Sequence, residues 1–190
     1  MAEPTRRATI TSIGLIELTA IARGIETADT MVKAAEVTLV FAKPVCPGKF
    51  IILVHGDVGA VKASVAAGLT VAADRAVNHL IIPRVHKDLL SAMNGSYPVG
   101  PVSALGVVEF FDIASAITAA DAAAKSSNVS LMEVRLGMGI GGKSFFKLCG
   151  EVADVKSAVA AAIGAASGRG QVVSTCVIPA PDPALFKEMT

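Results

Sequence analysis

Cys46 lies in KPVCPGKF, residues 43–50, a bend braced by Pro44, Pro47 and Gly48 between two apolar runs. A thiolate there is a soft ligand, but metal centres and iron–sulfur clusters are normally held by several such groups. The other two cysteines, Cys149 and Cys176, sit in apolar runs that read as strands, where a cysteine behaves as a small buried hydrophobe. A second pattern is GMGIGGKS, residues 137–144, which fits the phosphate-loop spacing G-x-x-x-x-G-K-[ST]. That loop binds phosphate where a strand enters and a helix leaves, because the helix N-terminal amides help to hold the anion. Here the exit is SFFKLCG, which reads as a strand, so a nucleotide-binding protein or NTPase using Gly137 to Ser144 is the weaker reading. His55, His79 and His86 share no metal-ligand spacing with one another or with the cysteines. Glu17 and Glu109 invite comparison with a paired catalytic carboxylate, but no nucleophile–base–orienter set accompanies them, and no enzyme is expected.

The elements that position these residues are written twice. SIGLIELTAIARGIETADTMVKAAEVTLVFAK, from Ser12, aligns with ALGVVEFFDIASAITAADAAAKSSNVSLMEVR, from Ala104. Gly14, Glu17, Asp29, Lys33 and Val37 match Gly106, Glu109, Asp121, Lys125 and Val129 at one constant offset. Pro47-Gly48-Lys49 then matches Gly141-Gly142-Lys143, with two extra residues in the second bend, and Ile82-Pro83 matches Ile178-Pro179. A fixed internal period fixes the architecture before any finer reading. In each copy a short apolar run is followed by residues at helical spacing, two strand-like runs around the bend, an alanine-rich helix and a last strand ended by proline. Asp57 is placed to cap the second helix. The order β-α-β-β-α-β is the split, ferredoxin-like arrangement of an α+β fold. The expected organisation is a lead-in over residues 1–11, a first module over 12–96, a linker over 97–103 and a second module over 104–190. Equivalence by repeat makes Glu17 and Glu109 structural groups at strand ends.

Composition agrees. Hydrophobic residues make up 53% of the 190, but aromatics only 4%, so the apolar content is mostly Ala, Val, Ile and Leu. Mean hydropathy is +0.61, a hint that the chain buries surface against copies of itself. A formal charge of +1 with no basic cluster beyond Arg6-Arg7 gives no footprint for nucleic acid or an acidic membrane. No apolar run has the ~20 residues of a membrane span, and MAEPTRRATITS has no secretory h-region. Three cysteines without CxxC spacing point to a reducing compartment.

The paired modules, GxxE in the first strand, D-x-x-x-K at the end of the first helix, GK after a glycine bend and a closing I-P-R resemble bacterial microcompartment shell proteins of the tandem-domain class. The resemblance implies a pseudohexameric homotrimer, a flat tile whose bends surround a central pore. Val45, Cys46, Pro47 and Gly48 would line it from the first module, and Gly139, Ile140, Gly141 and Gly142 from the second. It also places Lys33, Lys125 and Arg84 at the tile edge, against other shell proteins. The second module reads Ile178-Pro179-Ala180 at the position of Ile82-Pro83-Arg84, so one edge type would lack the arginine.

Threefold symmetry would present Cys46 three times near one axis, and relatives with this cysteine bend carry a [4Fe–4S] cluster in the pore. The expectation is one cluster per trimer, shared on the axis through three Cys46 thiolates, for electron transfer or cluster delivery to encapsulated redox enzymes. A metal-free metabolite or cofactor pore narrowed by Cys46 is the alternative. The chain would reside in the shell, a cytoplasmic organelle, with no nucleic acid or membrane partner.

Overall fold

The computed structural model describes residues 12–95, 102–166 and 172–185. The lead-in expected over residues 1–11 lies outside the described residues, as does most of the linker expected over 97–103.

Each repeat folds as its pattern dictates. The first runs β1 (Ser12–Leu18), α1 (Ile21–Ala34), β2 (Thr38–Val45), β3 (Lys49–Gly56), α2 (Val58–Ala72) and β4 (Ala76–Pro83). A short helix, α3 (Leu89–Met93), follows. The second runs β5 (Ala104–Phe110), α4 (Ile113–Ser126), β6 (Val129–Leu136), β7 (Ser144–Gly150), α5 (Val152–Ala166) and β8 (Val172–Pro179). Both sheets are antiparallel, in the orders β2-β3-β1-β4 and β6-β7-β5-β8. This is the split β-α-β-β-α-β arrangement expected from the repeat.

Strand alternation assigns each side chain to a face. Ile16, Leu18, Phe50, Ile52 and Val54 point to the first module's own helices and form one core with Met31, Val61 and Val65. Gly14 lies on the same face, and a Cβ there would stand 2.6 Å from a methyl of Val65, so the helix approaches where the side chain is missing. Ile13, Leu15, Ile51, Leu53, Leu80 and Ile82 point the other way. They form a continuous core with Ile113, Ile117 and Ala120 of α4 in the second module.

Helix α4 is therefore packed between two sheets. Ten of its fourteen residues are buried, against four in α1, its equivalent in the first repeat. A helix apolar all round belongs inside a protein, and the alanines of IASAITAADAAAKS let both sheets approach it closely. Asp57 stands at the N-cap of α2, but its side chain makes no capping bond; the carboxylate that caps its helix is Asp112, which accepts from Ser115 N at 2.8 Å. Cys176 corrects the expectation of a buried hydrophobe. It is exposed, because among the described residues no helix lies over it on the outer face of the second sheet, whereas Cys149 is buried as expected.

Candidate functional site

The two bends meet. The β2–β3 bend carries Val45, Cys46, Pro47 and Gly48, and the longer β6–β7 bend carries Gly139, Ile140, Gly141 and Gly142. Gly142 has φ +80°, and a Cβ on it would stand 2.5 Å from Pro47 Cδ and 2.7 Å from the Cys46 carbonyl oxygen. On the same side a Cβ on Gly137 would stand 3.3 Å from Val45. Glycine serves at position 142 twice over, for a left-handed backbone and for close approach to a neighbouring main chain. Gly48 closes its own bend with φ +95°, its N–H donating to Val45 O at 3.0 Å. The Cys46–Pro47 peptide is cis. Replacing Gly142 by Ala is expected to cost ~1–3 kcal/mol, since the contact is with backbone that has no rotamer to yield. Urea unfolding of Gly142→Ala beside Gly139→Ala checks this. Gly139 has φ +74° but open space around it, so its variant is expected to lose less.

The donor set at the bends is soft. Residues 43–49 and 137–143 contain the Cys46 thiol and the Met138 thioether but no carboxylate and no imidazole. Cys46 is half-buried, and among the described residues no three His, Cys, Asp or Glu side chains of one chain come together as a metal site. Cys149 is elsewhere, on β7, and burial pushes its thiol above the ordinary range, which disfavours the thiolate a metal needs. His86 is held locally, its Nδ1 accepting from Asp88 N at 3.3 Å.

At the base of each bend an ion pair recurs. Lys49 Nζ stands 2.8 Å from Glu17 Oε1, and Lys143 Nζ 2.6 Å from Glu109 Oε1. The expected structural role of these glutamates is thereby explained: each holds the lysine that follows its bend. Glu17 does more. Its second oxygen accepts from Ile113 N at 2.9 Å and Ala114 N at 3.4 Å, so a carboxylate of the first module caps α4 of the second. The helix dipole and free N-terminal amides favour a negative charge there. Lys143 is also the lysine of the phosphate-loop pattern, but it follows a hairpin and enters β7, so the chain leaves residues 137–144 as a strand and not as a helix. The geometry that phosphate binding needs is missing from that loop.

Away from the bends, the open face of the second sheet carries charge where the first carries apolar groups. Glu133 and Lys147 occupy the register positions of Phe41 and Leu53. Lys147 Nζ stands 2.7 Å from Glu133 Oε2, and Arg135 pairs with the other carboxylate oxygen. Burial alone would push Glu133 up, but the hydrogen bonds and charges of Lys147 and Arg135 together hold it below the usual carboxylate range.

The three expected edge residues separate. Lys33 is exposed at the end of α1 and pairs with Asp29 at 2.6 Å. Lys125 pairs with Asp121 and reaches Pro83 O at 3.5 Å, across the junction between the modules. Arg84, next to that carbonyl, is exposed with φ +50°, and its equivalent Ala180 has φ +45°. Lys125 and Arg84 thus share one margin of the chain, while Lys33 pairs within its own helix. Sequence reasoning missed the capping role of Glu17 on α4, although the lack of any equivalent partner in its own module is visible only in three dimensions.

The BMC domain model matches residues 12–85 and again 104–181. The chain is 42% identical to the bacterial microcompartment shell protein PduT of Citrobacter freundii, over 94% of this chain and 97% of that one. The carboxysome shell protein CcmK2 of Synechococcus elongatus is 43% identical over 41% of this chain and 80% of its own length, one module's worth. Among solved structures, a microcompartment protein from Desulfitobacterium hafniense DCB superposes with TM-score 0.84 at 53% identity, covering 94% of this chain and 99% of the other. The fused permuted hexameric shell protein MSM0275 shares the fold with TM-score 0.62 at 24% identity, covering 86% and 84%. With two matching domains in tandem and a full-length relative of this kind, the chain belongs to the BMC-domain family: it is a structural shell protein of a bacterial microcompartment, not an enzyme.

Proposed function

We propose that three copies of this chain form a shell tile with the bends around a central pore, and that Cys46 of each copy binds a [4Fe–4S] cluster shared on the axis. The observation that carries the reading is the contact of Gly142 with the Cys46 carbonyl. Equivalent bends of successive modules touch, as they must if modules are arranged about an axis that passes beside those bends. Cys46 then recurs once per chain near that axis.

The residues present fit such a group. A cluster of this kind takes thiolate ligands, and the bends offer sulfur and no competing carboxylate or imidazole. When bound, the cluster supplies one-electron transfer between the two sides of the tile. The chain's own contribution is position. Pro44 and Pro47 restrict the backbone on either side of Cys46, Gly48 turns it back, and Lys49, tied to the buried Glu17, fixes the start of β3. Lys43 lies on β2 just before the bend, its ammonium 4.6 Å from the Phe41 ring centroid.

The test is an anaerobic EPR spectrum of the intact protein before and after dithionite. A signal characteristic of a reduced [4Fe–4S] centre is expected to appear on reduction. A silent spectrum with no bound iron would leave a tile with a metal-free pore.

A further inference from the structure

The repeat puts a cation at the same place twice. Lys43 on β2 and Arg135 on β6 are equivalents, opposite Ile51 and Phe145 on the neighbouring strands. Both line one hollow of about 260 Å³ at the junction of the modules, where the end of α3 packs beside β6. Lys43 comes from the first module and Arg135 from the second, so it is the folding of one chain that brings the pair to a shared cavity. A single surface cation is an ordinary solvated group. Two at one concave site form a recognition feature if their donors are not already taken within the chain.

They are not. Glu133 is the carboxylate in the wall, and both its oxygens are occupied: one accepts from Nε and Nη2 of Arg135, and the other stands 2.7 Å from Lys147 Nζ. That leaves the two Nη1 donors of Arg135 with no partner among the described residues. Lys43 is exposed, rests its ammonium against the Phe41 ring, and pairs with no carboxylate among the described residues. Lys43, Arg135 and Lys147 thus stand around a single carboxylate, and the local charge is positive. Asn94, just past α3, adds a side-chain amide that can donate. Strand β6 lies at the edge of its sheet and turns alternate backbone N–H groups away from β7. The rest of the wall is apolar, with Met93, Leu136 and Met138.

We propose that this hollow binds a small organic oxyanion, a carboxylate or a phosphate monoester carrying a short apolar body. The guanidinium and ammonium take the anionic group, for which the planar Arg donors are suited by geometry as well as charge. The methionines and Leu136 take the carbon chain. At about 260 Å³ the space is below the roughly 300–1,000 Å³ of sites for drug-sized ligands, which limits the occupant to a few carbons beyond its charged end. A neutral molecule of the same length gains the apolar wall but leaves the cations unanswered. The site lies within one chain and needs neither an assembly nor a cluster. It is also beside the bends: Lys43 stands three residues before Cys46, and Met138 belongs to the second bend. In the trimeric reading, on which this last step rests, the hollow recurs three times around the opening and raises the local concentration of anions there.

Methionine-methyl NMR of the intact protein tests the site, because Met93 and Met138 line the hollow while Met31 lies in the first module's core. Titration with butyrate and with n-butyl phosphate, at constant ionic strength, is expected to move the Met93 and Met138 signals saturably and to leave Met31 in place. n-Butanol is expected to move none of them. Lys43→Gln, a change at an exposed position, is expected to weaken both anions at least tenfold, the scale of one charge-assisted hydrogen bond. Arg135→Gln is expected to do the same. Tighter binding of butyl phosphate than of butyrate assigns the phosphate as the preferred head group, and the reverse order assigns the carboxylate. Inorganic phosphate is expected to bind more weakly than butyl phosphate, since it leaves the apolar wall uncovered. Anion shifts no larger than those with butanol, unchanged affinity in Lys43→Gln, or inorganic phosphate equal to butyl phosphate would overturn the site. Arg135 also holds Glu133, so if Arg135→Gln misfolds, Lys43→Gln decides alone. Sedimentation of the same samples keeps the two readings apart: a trimer that binds no anion loses only the hollow, and a monomer that binds keeps it.

Discussion

In the Cys46→Ser variant, anaerobically purified protein is expected to lose its iron while keeping its fold and assembly size. Iron falls from roughly four atoms per trimer to near zero, with loss of the thiolate-to-iron absorption in the visible. Serine preserves the shape of the bend, and the close contact there is made by the Cys46 carbonyl, which the substitution keeps. Stability is therefore expected within about ±0.5 kcal/mol of wild type, as for a partly exposed side chain with no buried partner. The effect is large because nothing else at the bends replaces a thiolate: Met138 is a neutral thioether, and the nearest imidazoles and carboxylates lie on other elements. Cys149→Ser and Cys176→Ser serve as controls and are expected to retain iron. Unchanged iron in Cys46→Ser would move any cluster to another part of the chain.

Glu17→Ala is expected to be the most destabilising of the single carboxylate changes, by ~3–5 kcal/mol, the usual cost of removing one partner of a buried ion pair. The Glu17 side chain is fully buried, and its loss strands Lys49, itself mostly buried, together with two amides at the start of α4. Glu17→Gln keeps an oxygen for those amides but not the charge, and falls between. Glu109→Ala, the same change in the second repeat, leaves Lys143 able to reach water, and within one chain it is expected to cost less than ~1 kcal/mol. Urea unfolding at a concentration low enough to dissociate any assembly separates the two. Equal losses from Glu17→Ala and Glu109→Ala would show that capping α4 contributes little.

Much of this was legible in the residues because the repeat made every inference twice. Short apolar runs in SIGLIEL and ALGVVEF, helical spacing after each, and glycine–lysine bends at matching places define the elements of both modules and their order along the chain. The hairpin exit of GMGIGGKS was legible for the same reason, since its equivalent PVCPGKF is also flanked by strands. Three features were not. Helix α3 is five residues long, too short for a periodic signal. Asp57 has the right identity for a cap and the right place, but its carboxylate takes no amide, and composition cannot report a side-chain torsion. Cys176 reads as core because it lies in an apolar run, yet whether that run is covered depends on which helix lies over its sheet. The burial of α4 on two sides was half visible in its alanines. The partner that buries it is another module of the same chain, and only the fold brings the two together. The exchange of Phe41 and Leu53 for Glu133 and Lys147 was within reach of the alignment. Its meaning depends on knowing that these positions share one face across a β-bulge.

Native mass spectrometry of the intact, anaerobically prepared protein puts the whole account to one reading. Three chains of 19.3 kDa each, plus the mass of a single four-iron, four-sulfide cluster, is the predicted species. A particle of any other chain number, or three chains carrying no added mass, would contradict it.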